Sequence, residues 1–222
     1  MSWGKNRGRP ERGYHHGNLK EALVQAALDL IAQKGPAGFT FAEAARSAGV
    51  SPAAPYRHFR DRDELLANIA QRGFEQFEAM LLAAWDEGRP DTPTAFERLG
   101  KAYLAFARNE PASYSAMFES GLSLAAFPAL GLASDRAFAV IRTAAERLSA
   151  MSPAGVPRPP AMMMALHIWS LAHGIASLFA RGDEARRRLP MSAEDLLEAG
   201  VLIYLRGLGY PVGEAAEPPP PR

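Results

Sequence analysis

No cysteine occurs in the 222-residue chain. That excludes disulfides, thiol nucleophiles and zinc sites built on thiolates, and makes a reducing cytoplasm the natural setting. The charged N-terminal stretch lacks the apolar core of a secretory signal. Sustained alternation of apolar and polar residues is missing too, so half-buried strands are not expected. Neither a nucleophile motif nor a Gly-rich phosphate loop is present, and no acidic residue stands at a fixed spacing from a histidine. These absences argue against an enzyme and against a bound cofactor or metal.

What is there is an apolar content of 48%, enough for an ordinary core, and a charge balance that misleads when taken whole. The formal net charge is +1, yet residues 1–72 hold 11 Lys/Arg against 7 Asp/Glu while the remainder holds 14 against 17. The basic excess therefore sits at one end, where a polyanion would bind. One run, Ala161 to Ala180, is free of formal charge over a length that could span a bilayer. His167, Ser170, His173 and Ser177 interrupt it and no second segment resembles it, so a helix buried in protein is expected and no membrane partner.

Apolar residues recur at helical spacing almost throughout, which predicts an all-α protein. Residues 1–16, with Lys5, Arg7, Arg9 and Arg12, have no apolar period and read as a mobile basic arm; residues 213–222 read as a Pro-rich solvated tail. Between them, Asn18 and Glu21 have capping-box spacing at the start of a first helix that ends near Lys34 before Gly35 and Pro36. Thr40 and Glu43 cap a short second helix that stops at Gly49. Ser51, followed by Pro52, caps a short third helix, and Asp61 with Glu64 a long fourth one reaching Trp85. Further helices are expected near 94–109, 111–120, 127–150, 160–181 and 192–207, the last capped by Ser192 with Asp195, with a Pro-rich link from Ser152 to Pro160.

Thr40 to Phe59 thus has the layout of a helix-turn-helix, in which the second short helix lies in the major groove of DNA. Ala44, Ala45 and Ala48 permit close helix approach, and Phe41, Val50 and Phe59 fill the small core between the helices. Thr40 and Ser51 at helix caps, with Tyr56, His58 and Arg62, are the expected phosphate contacts. Base reading falls to Pro52, Ala53, Ala54 and Arg57, with Arg46 on the preceding helix; alanine touches only a thymine methyl, so direct readout is thin unless an arginine reaches guanine. Pro55 removes an amide from the first turn of this helix and is expected to loosen or reshape it. The basic arm either enters a minor groove or serves as a solvated tail.

Over Asn18 to Leu65 the sequence resembles the DNA-binding domain of the tetracycline-repressor (TetR) family. The resemblance is carried by Ala44–Ala45, Gly49-Val50-Ser51, Tyr56-x-His58-Phe59, Arg62 and Leu65. His15 and His16 fit the start of that domain better than a metal site. Downstream, Pro111-x-x-Tyr114-x-x-Met117-Phe118 and Trp169-x-x-x-His173-Gly174 resemble a C-terminal subgroup named after its Trp-His-Gly signature. The resemblance implies a head at residues 17–64 that binds double-stranded operator DNA and a body at 65–212 that binds a small-molecule effector and forms a homodimer.

For the dimer, the last two long helices are expected to pair with their mates, through Ala165, Ala172, Gly174 and Ala176 with Leu196, Leu197, Val201 and Leu205. Trp169 and His173 share one helix face, either as packed core or as the wall of a ligand cavity. Trp85, Tyr103, Phe106, Met117, Phe118 and Met163 are further candidates for that pocket, because methionine repacks readily around a lipophilic guest. His167 and His173, six apart, do not form the i, i+4 pair of a helical metal site. The expected protein is a ligand-responsive repressor, with an effectorless DNA-binding regulator as the alternative.

Overall fold

The computed structural model describes residues 19–151, 155, 158–179 and 190–210. Asn18, the basic arm, much of the link after Met151 and the tail lie outside the described residues. Among the described residues the secondary structure is helical and without strands: α1 (Leu19–Lys34), α2 (Phe41–Ser47), α3 (Arg62–Trp85), α4 (Thr92–Asn109), α5 (Pro111–Phe118), α6 (Pro128–Ala150), α7 (Ala161–Phe179) and α8 (Ala193–Gly207).

Short polar side chains set most of these boundaries. Thr40 and Glu43 form a reciprocal capping box at α2, Ser192 and Asp195 do the same at α8, and Asp61 accepts from the Glu64 amide at 2.8 Å to start α3. Each such cap contributes about 1 kcal/mol by satisfying amides that have no partner inside the helix. Gly49, at φ +72°, makes the turn after α2 in a region that L side chains rarely adopt. At the start of α1, Glu21 spends both carboxylate oxygens on Arg72 of α3, at 2.6 and 2.7 Å. The ion pair ties the first helix to the third.

The largest difference from expectation lies between α2 and α3. In place of an α-helix capped by Ser51 there is one 3₁₀ turn, Ala54–Arg57, with no side-chain cap. Pro55 is the reason. An α-helix starting at Ser51 needs the residue-55 amide to donate to the Ser51 carbonyl, and proline has none. The Ala54 amide takes that carbonyl instead, at 3.0 Å, and the amides of His58 and Phe59 converge on the Pro55 carbonyl.

One continuous core runs through the described residues, from Leu23 and Ile31 through Leu65 and Phe77 to Val201 and Tyr210. Helix α3 runs through its centre, packed on α4, α5 and α6. Gly73 lets α5 close on α3: a Cβ there would lie 2.7 Å from the Met117 sulfur. Helix α7 is long and apolar enough to cross a membrane, but Met164, Ala165, Ile168, Ala172, Ile175 and Ala176 face the protein core.

The opposite face of α7 is apolar and open, with Met162, Met163, Leu166 and Leu178 exposed, and Ile203 of α8 is 72% exposed. This reverses the expected assignment of faces. Ala165, Ala172, Ala176, Leu197, Val201 and Leu205 are buried within the protomer; of the residues expected at a dimer surface, Gly174 is exposed and Leu196 half-buried.

Candidate nucleic-acid interface and the aromatic cluster behind it

The segment from Ser51 to His58 is held from below and open above. Pro55 and Phe59 are buried, while Ser51, Pro52, Ala53, Tyr56, Arg57 and His58 are exposed and Ala54 is half-buried. Tyr56 is 64% exposed, yet its ring stands edge-on to Phe41 at 5.1 Å and 83°, so it is both presented and oriented. Arg46 is exposed on α2. The expected base and phosphate candidates from 51 to 58 are thus brought onto one turn, with Pro55 as its anchor.

Two expected contacts are placed differently. The Thr40 hydroxyl accepts from the Glu43 amide at 3.2 Å and donates to the Glu43 carboxylate at 3.1 Å, so its hydrogen bonds are spent on the cap. Hydrogen bonding by Lys34 and then by Thr40 lowers the Glu43 pKa from 4.5 to about 2. Arg62 turns inward: its Nε donates to the Phe39 carbonyl at 2.9 Å, one terminal nitrogen donates to the Pro36 carbonyl, and the other pairs with Asp63 at 2.9 Å. The guanidinium also lies 4.8 Å from the centre of the Phe39 ring. This residue braces the loop between α1 and α2, because that loop has carbonyls without helical partners.

In the body, four of the proposed pocket residues meet in a filled cluster. His173 Nδ1 lies 2.8 Å from the Tyr103 hydroxyl and 2.9 Å from that of Tyr114, and Trp169 Nε1 donates to the Tyr103 oxygen at 3.2 Å. Phe118 closes the group, 5.0 Å from the His173 ring and 4.8 Å from that of Tyr114. A neutral imidazole protonated on Nε2 accepts one hydroxyl proton at Nδ1, which leaves the second hydroxyl to the other tyrosine; the Tyr114 oxygen also has Ser177 as a partner. Burial enforces this neutral state by lowering the His173 pKa, against the pull of Glu119, and by raising both tyrosines.

The other proposed pocket residues take no part in these tyrosine–histidine–tryptophan hydrogen bonds. Phe106 is buried and packs on Phe77, which also meets Tyr103, Met117 fills the gap under Gly73, and Trp85 packs at the end of α3 beneath Arg147. Met163 is exposed on the outer face of α7. None of the cluster residues lines the open apolar cleft of about 380 Å³ further along α7, which is bounded by Leu104, Ala107, Pro111, Ala176, Phe179 and Ala193 and carries an Arg108–Glu194 ion pair. Tyr114 is the residue that sequence reasoning left off the pocket list, although the P-x-x-Y-x-x-M-F pattern contained it.

An exposed, braced helix-turn-helix in front of an all-helical body defines a DNA-binding transcription regulator. Residues 23–69 match the profile described as bacterial regulatory proteins, tetR family, and residues 96–203 the profile described as tetracyclin repressor-like, C-terminal domain. The chain belongs to the TetR family of transcriptional regulators. It is 45% identical over 47 residues to the HTH-type transcriptional regulator BetI of Rhizobium meliloti (strain 1021), a match that spans 21% of this chain and 23% of that protein. A solved structure of a protein of unknown function from Rhodococcus sp. RHA1 superposes with a TM-score of 0.74 at 28% identity, covering 90% of this chain and all of that one. AibR, solved in complex with isovaleryl coenzyme A and operator DNA, shares the fold with a TM-score of 0.65 at 15% identity, over 83% of this chain and 97% of its own.

Proposed function

We propose that the protein is a cytoplasmic homodimeric repressor that binds a two-fold symmetric operator and is released from it by a small apolar or amphipathic ligand. The observation that carries the DNA half of this reading is the Ser51–His58 turn, which exposes hydroxyl, phenol, guanidinium and imidazole groups side by side on a buried proline anchor. Ser51, Tyr56 and His58 are assigned to phosphates, and Pro52, Ala53, Ala54, Arg57 and Arg46 to base edges. Two successive major-groove half-sites about 34 Å apart require two heads. The open apolar face of α7 and α8, with Met162, Met163, Leu166 and Ile203, is the surface assigned to the second copy.

For the ligand, the reading uses the cleft between Leu104, Pro111, Ala176 and Phe179, with Arg108, Ser192 and Glu194 of its wall as the polar groups a ligand would meet. AibR, a fold relative solved with an acyl-coenzyme A and operator DNA, is compatible with such coupling. Release requires only that the ligand bind the DNA-free arrangement more tightly than the DNA-bound one.

The dense packing of Tyr103, Tyr114, Phe118, Trp169 and His173 favours a second reading, a DNA-binding regulator with no effector. Fluorescence anisotropy on the DNA flanking its own gene, beside a scrambled duplex and in two salt concentrations, tests the DNA-binding claim. Binding that is tight, selective and two heads per duplex supports it; equal weak binding to every genomic fragment would sink it. A ligand screen on the same assay then separates the readings: release by any amphipathic compound supports the repressor, and an unmoved affinity throughout supports the effectorless regulator.

A further inference from the structure

The turn presented to DNA is unusually poor in hydrogen-bonding groups. Side chains 52 to 55 are Pro, Ala, Ala and Pro and contain no polar atom. Pro52 and Pro55 also lack amides, the Ala54 amide is spent on the Ser51 carbonyl, and the amides of His58 and Phe59 are spent on Pro55. Pro52 and Ala53 are nevertheless the exposed part of this stretch, and their short side chains let the backbone come close to whatever faces them.

The major groove offers few features that such a surface satisfies. Guanine presents acceptors that need a donor, cytosine a donor that needs an acceptor, and adenine one of each; only the thymine 5-methyl group is matched by carbon alone. A polar base edge pressed against Pro52 and Ala53 would lose its water without replacement.

We propose that Pro52 and Ala53 are specificity-determining residues that read thymine methyl groups, so that each operator half-site places thymines opposite this turn. Pro52 and Ala53 are adjacent, with Cα atoms about 3.8 Å apart, roughly one base-pair step, which limits the apolar reading to one or two thymines per half-site. Ser51 and Arg57 stand on the same turn as the apolar patch, and they contribute to what flanks it. The inference rests on the DNA-binding reading above, and its test keeps the two apart.

Full-length protein is used to select duplexes from a random pool, and anisotropy is then measured on the selected duplex with each thymine in turn replaced by deoxyuridine, which removes the methyl and nothing else. One or two thymines per half-site are expected at which this weakens binding about fourfold, the effect of one buried methyl. In Ala53→Gly, with folding checked by its melting temperature, that thymine–uracil difference shrinks at the base facing residue 53. A selected duplex on which no uracil substitution matters, or one with G·C pairs opposite the turn, overturns the methyl reading and leaves DNA binding intact. If the pool yields no selected duplex at all, the DNA-binding reading fails and this inference with it.

Discussion

The head and the body of the molecule carry their polar groups in opposite ways. In the head, the exposed groups of the candidate interface are neighbours in sequence, Ser51 to His58, set on a small core of Phe41, Pro55 and Phe59. In the body, the polar cluster is largely withdrawn from solvent, with Tyr103 and Tyr114 buried and Trp169 and His173 half-buried, and its members come from three helices. Head chemistry is therefore separable from folding, whereas in the body each polar group is also a packing element. Substitutions should reveal the difference.

The largest effect is expected in the body. Tyr103→Ala removes a 2% exposed aromatic ring and the hydroxyl that accepts from Trp169, so it should cost about 3–5 kcal/mol in urea unfolding. Operator affinity of the remaining folded protein should change little. A loss below 1 kcal/mol would contradict the integrated body described here.

Next comes Arg62→Ala, which leaves two loop carbonyls unpaired and should cost about 2 kcal/mol. If Arg62 is a brace, the salt dependence of DNA binding keeps its slope; if it is a phosphate contact, the slope falls by about one. Tyr56→Ala draws the contrast from the other side. It should lower stability by no more than about 1 kcal/mol, the value of its edge contact with Phe41, while weakening operator binding roughly tenfold.

Acid titration separates the regions with the smallest effect. Burial holds His173 below its ordinary 6.5, so the unfolded chain binds a proton first; the stabilisation is whole above pH 6.5 and is lost as pH falls toward the folded value. Glu43, at about 2 against an ordinary 4.5, contributes its share above pH 4.5 and loses it only between there and about 2. Tryptophan fluorescence should thus register loosening of the body at a higher pH than the cap of the head fails, and His173→Gln should remove the upper step.

These contrasts also explain what could be read from the chain alone. Caps and turns are local, and Thr40–Glu43, Asp61–Glu64, Ser192–Asp195 and Gly49 were legible because their partners stand three residues away or less. Pro55 announced a disturbed recognition element for the same reason, though not that a single 3₁₀ turn would result. The inward turn of Arg62 was hidden, since its carbonyl partners lie 23 and 26 positions upstream and no side-chain pattern marks a carbonyl.

Phasing α7 failed for a different reason. Its sequence is apolar almost all round, so periodicity does not say which face meets the protein and which stays open; Ala165 and Ala172 went inside and Met162 and Met163 outside. The pocket residues could be collected by type but not located. Met163 faces outward on α7 and Trp85 packs beneath Arg147, while Tyr114, quoted only as part of a motif, stands with its hydroxyl against His173.

The Arg62 brace also bears on where the head ends. A loop that borrows two of its hydrogen bonds from the first residue of α3 has no independent claim to a shape before that helix is present. Any fragment made to study DNA binding in isolation must carry α3 well past residue 64, because Leu65, Leu66 and Ile69 seal the same core as Leu23 and Phe59. During synthesis the reading turn would emerge from the ribosome unsupported and take its form only as the next helix follows it out.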